Sequence, residues 1–123
     1  MFFDIWKMSS YSKDNIILSL TLEFAIDIVS HCEQLELNKK YVIARQLLKS
    51  GTSIGANSRE AQNAESRADF IHKFKVAAKE ADETEYWLLL CEKSNGYPET
   101  RGLMVKLKNI QRIINKIINT SRM

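Results

Sequence analysis

At 123 residues the chain is long enough to bury a core of its own, so neither disulfides nor a structural metal is needed to hold it together. Two cysteines, one proline and four glycines, set among abundant Leu, Ile, Ala, Glu and Lys, exclude a disulfide scaffold and favour helix over sheet. The net charge of +3 is modest but unevenly distributed, and no run approaches the ~18 apolar residues of a membrane span or follows the plan of a secretory leader; the expectation is one cytoplasmic domain.

Residues 1–12 show no clean period, and their aromatics Phe2, Phe3, Trp6 and Tyr11 predict an extension that docks on the domain or on a partner. A first helix is predicted over 14–35, where Leu18, Leu22, Ala25, Val29 and Cys32 step by four and three and Ile17, Phe24 and Ile28 widen the stripe. Residues 36–38 form a connection short enough to make the next helix antiparallel. Cys32 and Cys91 fall on apolar stripes and read as buried free thiols.

The second helix, 39–63, carries a stripe at Ile43, Leu47, Ser50, Ile54, Asn57 and Ala61. Ala44, Leu48, Gly51, Gly55 and Ser58 form another, roughly 100° round the axis. Each glycine costs about 1 kcal/mol against alanine in a helix interior, which predicts close approach of a neighbouring backbone. The Gly51-x-x-x-Gly55 spacing is no phosphate loop: no strand pattern precedes it and no Gly-Lys-Ser/Thr follows.

Ser66 and Asp69 form an approximate capping box opening a third helix, 66–93, with Phe70, Phe74, Ala77, Ala81, Thr84, Leu88 and Cys91 facing inward. An antiparallel hairpin of helices two and three would set Ala77, Ala78 and Ala81 against Gly51 and Gly55. Glu85 falls on the apolar stripe and calls for a partner such as Arg45, Arg59 or Asn57. Tyr86, Trp87 and Leu90 fall on the outward side, where such a group marks a subunit contact.

Residues 94–99 read as a loop, with Asn95-Gly96 stopping the third helix and Thr100 capping a fourth over 100–120. Leu103, Leu107, Ile110, Ile114 and Ile117 point inward, while Arg101, Lys108, Arg112 and Lys116 point outward. Four helices with short links specify an all-α, up-and-down antiparallel four-helix bundle in a single domain.

The stretch GTSIGANSREAQNAESRADFIHK, followed by AAKEADETEYWLLL, resembles the four-helix bundle proteins encoded in intervening sequences of bacterial 23S rRNA genes. Ser53, Ile54, Asn57, Glu60, Ala61, Ser66, Phe70 and Glu85 fall where that family's pattern puts them. The resemblance implies a bundle often assembled as a ring-like homopentamer, with no established enzymatic activity. A more distant relation to the accessory proteins of diversity-generating retroelements, which look like basic pentameric bundles that bind nucleic acid and a reverse transcriptase, lends a nucleic-acid role some analogy.

Three functional readings follow. A bundle di-metal enzyme needs Glu-x-x-His pairs, and neither His31 nor His72 sits in one; Glu60, Glu80, Asp82, Glu83, Glu85, Cys32 and Cys91 complete the candidate acids, bases and nucleophiles. The expectation is no enzyme and no cofactor. A nucleic-acid binder would use Arg101, Lys108, Arg112 and Lys116 together with Arg45 and Lys49 on phosphates, without a sequence-reading motif and with strong salt dependence. An assembly scaffold would use Tyr86, Trp87 and Leu90, and the basic fourth helix would then complement the acidic first one (Asp14, Glu23, Asp27, Glu33).

Overall fold

Four α-helices run alternately up and down in a computed structural model that describes residues 5–122, with side-chain surroundings from Ile16 to Arg122. They are α1 (Ile5–Leu37), α2 (Tyr41–Glu60, prolonged by a 3-10 turn, Ala61–Asn63), α3 (Arg67–Lys93) and α4 (Arg101–Ser121). The principal contacts join α1 to α2 and α4, and α3 to α2 and α4, so α2 and α4 occupy diagonal corners. This is the expected bundle. Helix α1 begins earlier than expected, at Ile5, because residues 5–13 contain no glycine or proline to stop it. The expected docking of the N-terminal aromatics lies outside the described side chains.

The core is built from Ile17, Phe24, Ile28 and Leu35 of α1, Leu47 and Ile54 of α2, Phe70, Phe74 and Leu88 of α3, and Leu107, Ile110 and Ile114 of α4, all fully buried. Phe70 and Phe74 meet edge to face with ring centres 5.0 Å apart, a favoured aromatic geometry. Across α2 and α3 the buried hydroxyls answer each other: Thr84 donates to the Glu80 carbonyl at 2.7 Å and shares a 3.0 Å hydrogen bond with Ser50 Oγ. Ser58, also fully buried, donates to the Ile54 carbonyl at 2.8 Å. Both thiols are free and buried.

The inward face of α1 differs from expectation. Ile17, Thr21, Phe24, Ile28 and Leu35 turn to the core, while Leu22 and Val29 remain 54% and 43% exposed. Apolar residues lie on two sides of this helix, so periodicity alone cannot choose between them. The glycines also face a different neighbour. A Cβ on Gly51 would sit 2.9 Å from Cγ1 and Cγ2 of Ile28, and one on Gly55 would sit 3.1 Å from Thr21 Oγ1. Their close approach is therefore to α1, not to Ala77, Ala78 and Ala81 of α3.

Local signals at the helix ends divide. Ser66 Oγ accepts from the Asp69 amide at 3.0 Å and Asp69 accepts from the Glu65 amide at 3.1 Å, a reciprocal cap displaced by one residue from the usual box. Thr100 occupies the N-cap of α4 but its side chain makes no capping hydrogen bond; it is buried instead. Gly96 takes a φ of +82°, the left-handed turn expected after α3. At the end of α1 the amides of Lys40 and Lys39 bond to the carbonyls of Leu35 (2.8 Å) and Glu36 (2.9 Å). That is a Schellman motif, with Lys39 at φ 61° where glycine is usual.

Candidate functional site

The basic residues of α4 project from the corner diagonal to that of the basic residues of α2. On α4, Arg101 approaches Glu99 at 3.5 Å, Lys108 is paired with Glu85 at 2.8 Å, and Arg112 donates to Asn109 Oδ1 at 2.7 Å. Lys116 is exposed and forms no ion pair among the described residues. On α2, Arg45, Lys49 and Arg59 are exposed and likewise stand in no ion pair there. The expected α4 cluster is thus partly consumed within the fold, and α2 holds the less committed cations.

Lys106, absent from the candidate set, carries the electrostatic tie between α4 and α1. Its ammonium pairs with Glu23 at 3.1 Å and with Asp27, and those two hydrogen bonds, Asp27 first, raise its pKa. The complementarity of basic α4 and acidic α1 is therefore made within one chain. Glu85 departs from its expected partners in the same way. It sits half-buried at the seam of α3 and α4, accepting from Lys108 at 2.8 Å and Gln111 at 3.0 Å, not from Arg45, Arg59 or Asn57. Those hydrogen bonds, Lys108 first, hold its carboxyl below the usual range.

Two residues of the recognisable stretch serve the α2–α3 corner. Asn57 donates to the Ser53 carbonyl at 2.9 Å, and Glu60 accepts from Lys73 at 2.9 Å across the turn. On the outward side of α3, Tyr86 is 59% and Leu90 38% exposed. Trp87 is half-buried, packed on the core, with Nε1 donating to Glu83 at 3.1 Å.

A larger apolar surface was not anticipated. Leu22, Val29 and Leu48 beside the seam of α1 and α2, and Ile26 on the outer face of α1, stand open to solvent, Ile26 at 61% exposure. A groove of about 120 Å³ runs there between Leu18, Leu22 and Ala25 on one side and Thr52, Gly55 and Ala56 on the other, with Arg59 at its end. The signal was present in the sequence as the second apolar stripe of α1, but it was assigned to the core.

Elsewhere, a shallow cleft of about 320 Å³ lies between α1 and the start of α4, lined by Asp27, Ser30, His31, Gln34, Glu99, Gly102, Leu103 and Lys106. His31 is buried, its Nε2 has no protein partner, and burial lowers its pKa. Burial pushes the Cys32 thiol up to about 12, with nearby Cys91 and Glu36 adding to it, and raises Cys91; neither is poised as a nucleophile. Among the described residues no three His, Cys, Asp or Glu side chains converge to hold a metal ion, and no helix is long and apolar enough to cross a membrane.

The architecture defines the class: an up-and-down four-helix bundle. Residues 13–116 match the 23S rRNA-intervening sequence protein family, and the chain belongs to it. It is also similar to a crystal structure, at 1.70 Å, of a protein with unknown function from the S23 ribosomal protein family of Bacteroides thetaiotaomicron VPI-5482. The two share 43% identity and a TM-score of 0.82, over 87% of this chain and 98% of that one. A search among curated proteins gives no match.

Proposed function

We propose that this protein is a non-enzymatic, self-assembling helical bundle whose task is to present a multi-subunit surface. One observation carries the reading: the outer side of α1 leaves Leu22, Ile26 and Val29 on consecutive turns at 43–61% exposure. Scattered exposed leucines need no account, whereas a continuous apolar stripe on a soluble bundle marks a contact. Sedimentation equilibrium of the full chain tests it. A mass that is a multiple of 14.2 kDa supports assembly, the homopentamer implied by the family resemblance included, and a single-chain mass at the highest soluble concentration rejects it.

A second reading, binding of RNA or DNA phosphates, is favoured by Arg45, Lys49 and Arg59 on α2 and Lys116 on α4, which are exposed and stand in no ion pair among the described residues. Its test is titration of a structured rRNA fragment and of duplex DNA at low and physiological salt. Phosphate contacts give an affinity that falls steeply with salt, and Lys49→Glu and Lys116→Glu then weaken every sequence alike. Lys108 is unsuited to this test, since reversing it sets a carboxylate against Glu85. No binding at low salt removes this reading and leaves assembly standing.

A further inference from the structure

Self-assembly leaves open which surfaces meet. The bundle carries two apolar outer surfaces of different shape. The α1–α2 seam is grooved at Gly55, which offers no side chain to fill it, and Leu22, Val29 and Leu48 leave surface exposed beside it. The other surface is a ridge, Tyr86 and Leu90 on successive turns of α3.

The ridge stands level with the Val29 and Leu48 end of the seam, about two turns along from the groove at Gly55. Thr84 is level with Ser50, its hydrogen-bond partner, and the next residue, Gly51, rests on Ile28. Val29 and Leu48 are therefore level with the turn that carries Tyr86. A second copy related by rotation about an axis parallel to the helices, with no shift along it, brings its ridge to the height of that end of the seam. The charges at that height are complementary. Arg45 and Lys49 are exposed beside Leu48, while Asp82 and Glu83 are exposed beside Tyr86; none of the four joins an ion pair among the described residues.

We infer that a second copy of this chain covers the α1–α2 seam, and that it does so with its α3 ridge, in a head-to-tail contact. This rests on the self-assembly reading above and names its partner surface. A contact between unlike surfaces repeats around a closed ring, and each copy then has one seam and one ridge engaged.

The test uses two exposed substitutions, Val29→Asp on the seam and Tyr86→Asp on the ridge, with Leu48→Lys and Leu90→Lys as replacements should either variant fail to melt as the parent does. Light scattering is expected to find the parent as a multiple of 14.2 kDa, each variant alone at that single-chain mass, and an equimolar mixture of the two at twice it. The mixture is decisive, because each variant keeps one intact surface and only unlike surfaces can then join. A monomeric parent overturns the assembly reading itself. An oligomer that survives both substitutions leaves assembly intact and overturns this contact. Monomeric variants whose mixture stays monomeric show that an intact ridge does not join an intact seam, which also overturns it.

Discussion

Gly51 illustrates how much one missing side chain decides. A Cβ there meets Ile28 at 2.9 Å, and Ile28 is branched, fully buried and unable to swing aside. Gly51→Ala gains about 1 kcal/mol of helix propensity but forces α1 and α2 apart, at an overpacking cost of about 1–3 kcal/mol. The expected result is a net loss of stability in urea denaturation. Gly55→Ala, tighter by Thr21 at 3.1 Å but not as close, is expected to lose less. The reverse order would mean that the α1–α2 approach is set elsewhere.

Titration supplies two further expectations at this scale. His31 binds a proton less readily folded than unfolded, since burial lowers its pKa from 6.5. The unfolded chain therefore takes up the proton first, and stability falls as pH drops below about 6.5. The groups around the His31 cleft are Asp27, Glu99 and Lys106. A urea midpoint measured from pH 7.5 to 5.5 should fall, and His31→Leu should flatten that slope. Glu85 works in the carboxylate range: its pKa is lowered by Lys108 and Gln111, so its contribution is present above the ordinary carboxylate value and is lost as pH falls through its folded one. With both groups of the pair partly in solvent, Glu85→Gln is expected to cost on the order of 0.5 kcal/mol at pH 7.

At the scale of elements, the helix ends hold the clearest opportunities for change. Lys39 at φ 61° bears a Cβ in a conformation that costs roughly 1–2 kcal/mol for an L residue. Lys39→Gly should therefore raise the melting temperature by a few degrees, although glycine's greater freedom in the unfolded chain returns part of the gain. Ser66→Ala removes the oxygen that holds the Asp69 amide and should cost about 1 kcal/mol. Thr100→Ala tests the contrast, because its side chain caps nothing; any loss there reflects burial and not capping.

At the scale of the molecule, the charge asymmetry between acidic α1 and basic α4 is resolved in part within the chain. Lys106 joins Glu23 and Asp27, and Lys108 joins Glu85, so α4 is tied to both its neighbours by ammonium groups. Lys106→Glu should lower the melting temperature, an effect muted at high salt. Substitution of Lys116, which is exposed with no ion pair among the described residues, should leave it unchanged. The same division separates the two outer surfaces: basic side chains that hold the bundle together are poorly placed to hold anything else.

Helix number, helix limits to within a few residues outside α1's start, the loop at Gly96 and the capping role of Ser66 were all legible in the sequence. They follow from local chemistry: side-chain period, backbone freedom and donors left unpaired at helix ends. The inward faces of α3 and α4 were legible too, because in each the inward residues step by four and three along the whole helix. Only the tertiary structure decided which side of α1 turns inward, that Gly51 and Gly55 meet Ile28 and Thr21, and that Glu85 pairs with Lys108. The reason is common to all three. A helix that is apolar on two sides, a glycine that admits any close neighbour and a carboxylate within reach of several cations each leave the choice to the helices that pack beside them.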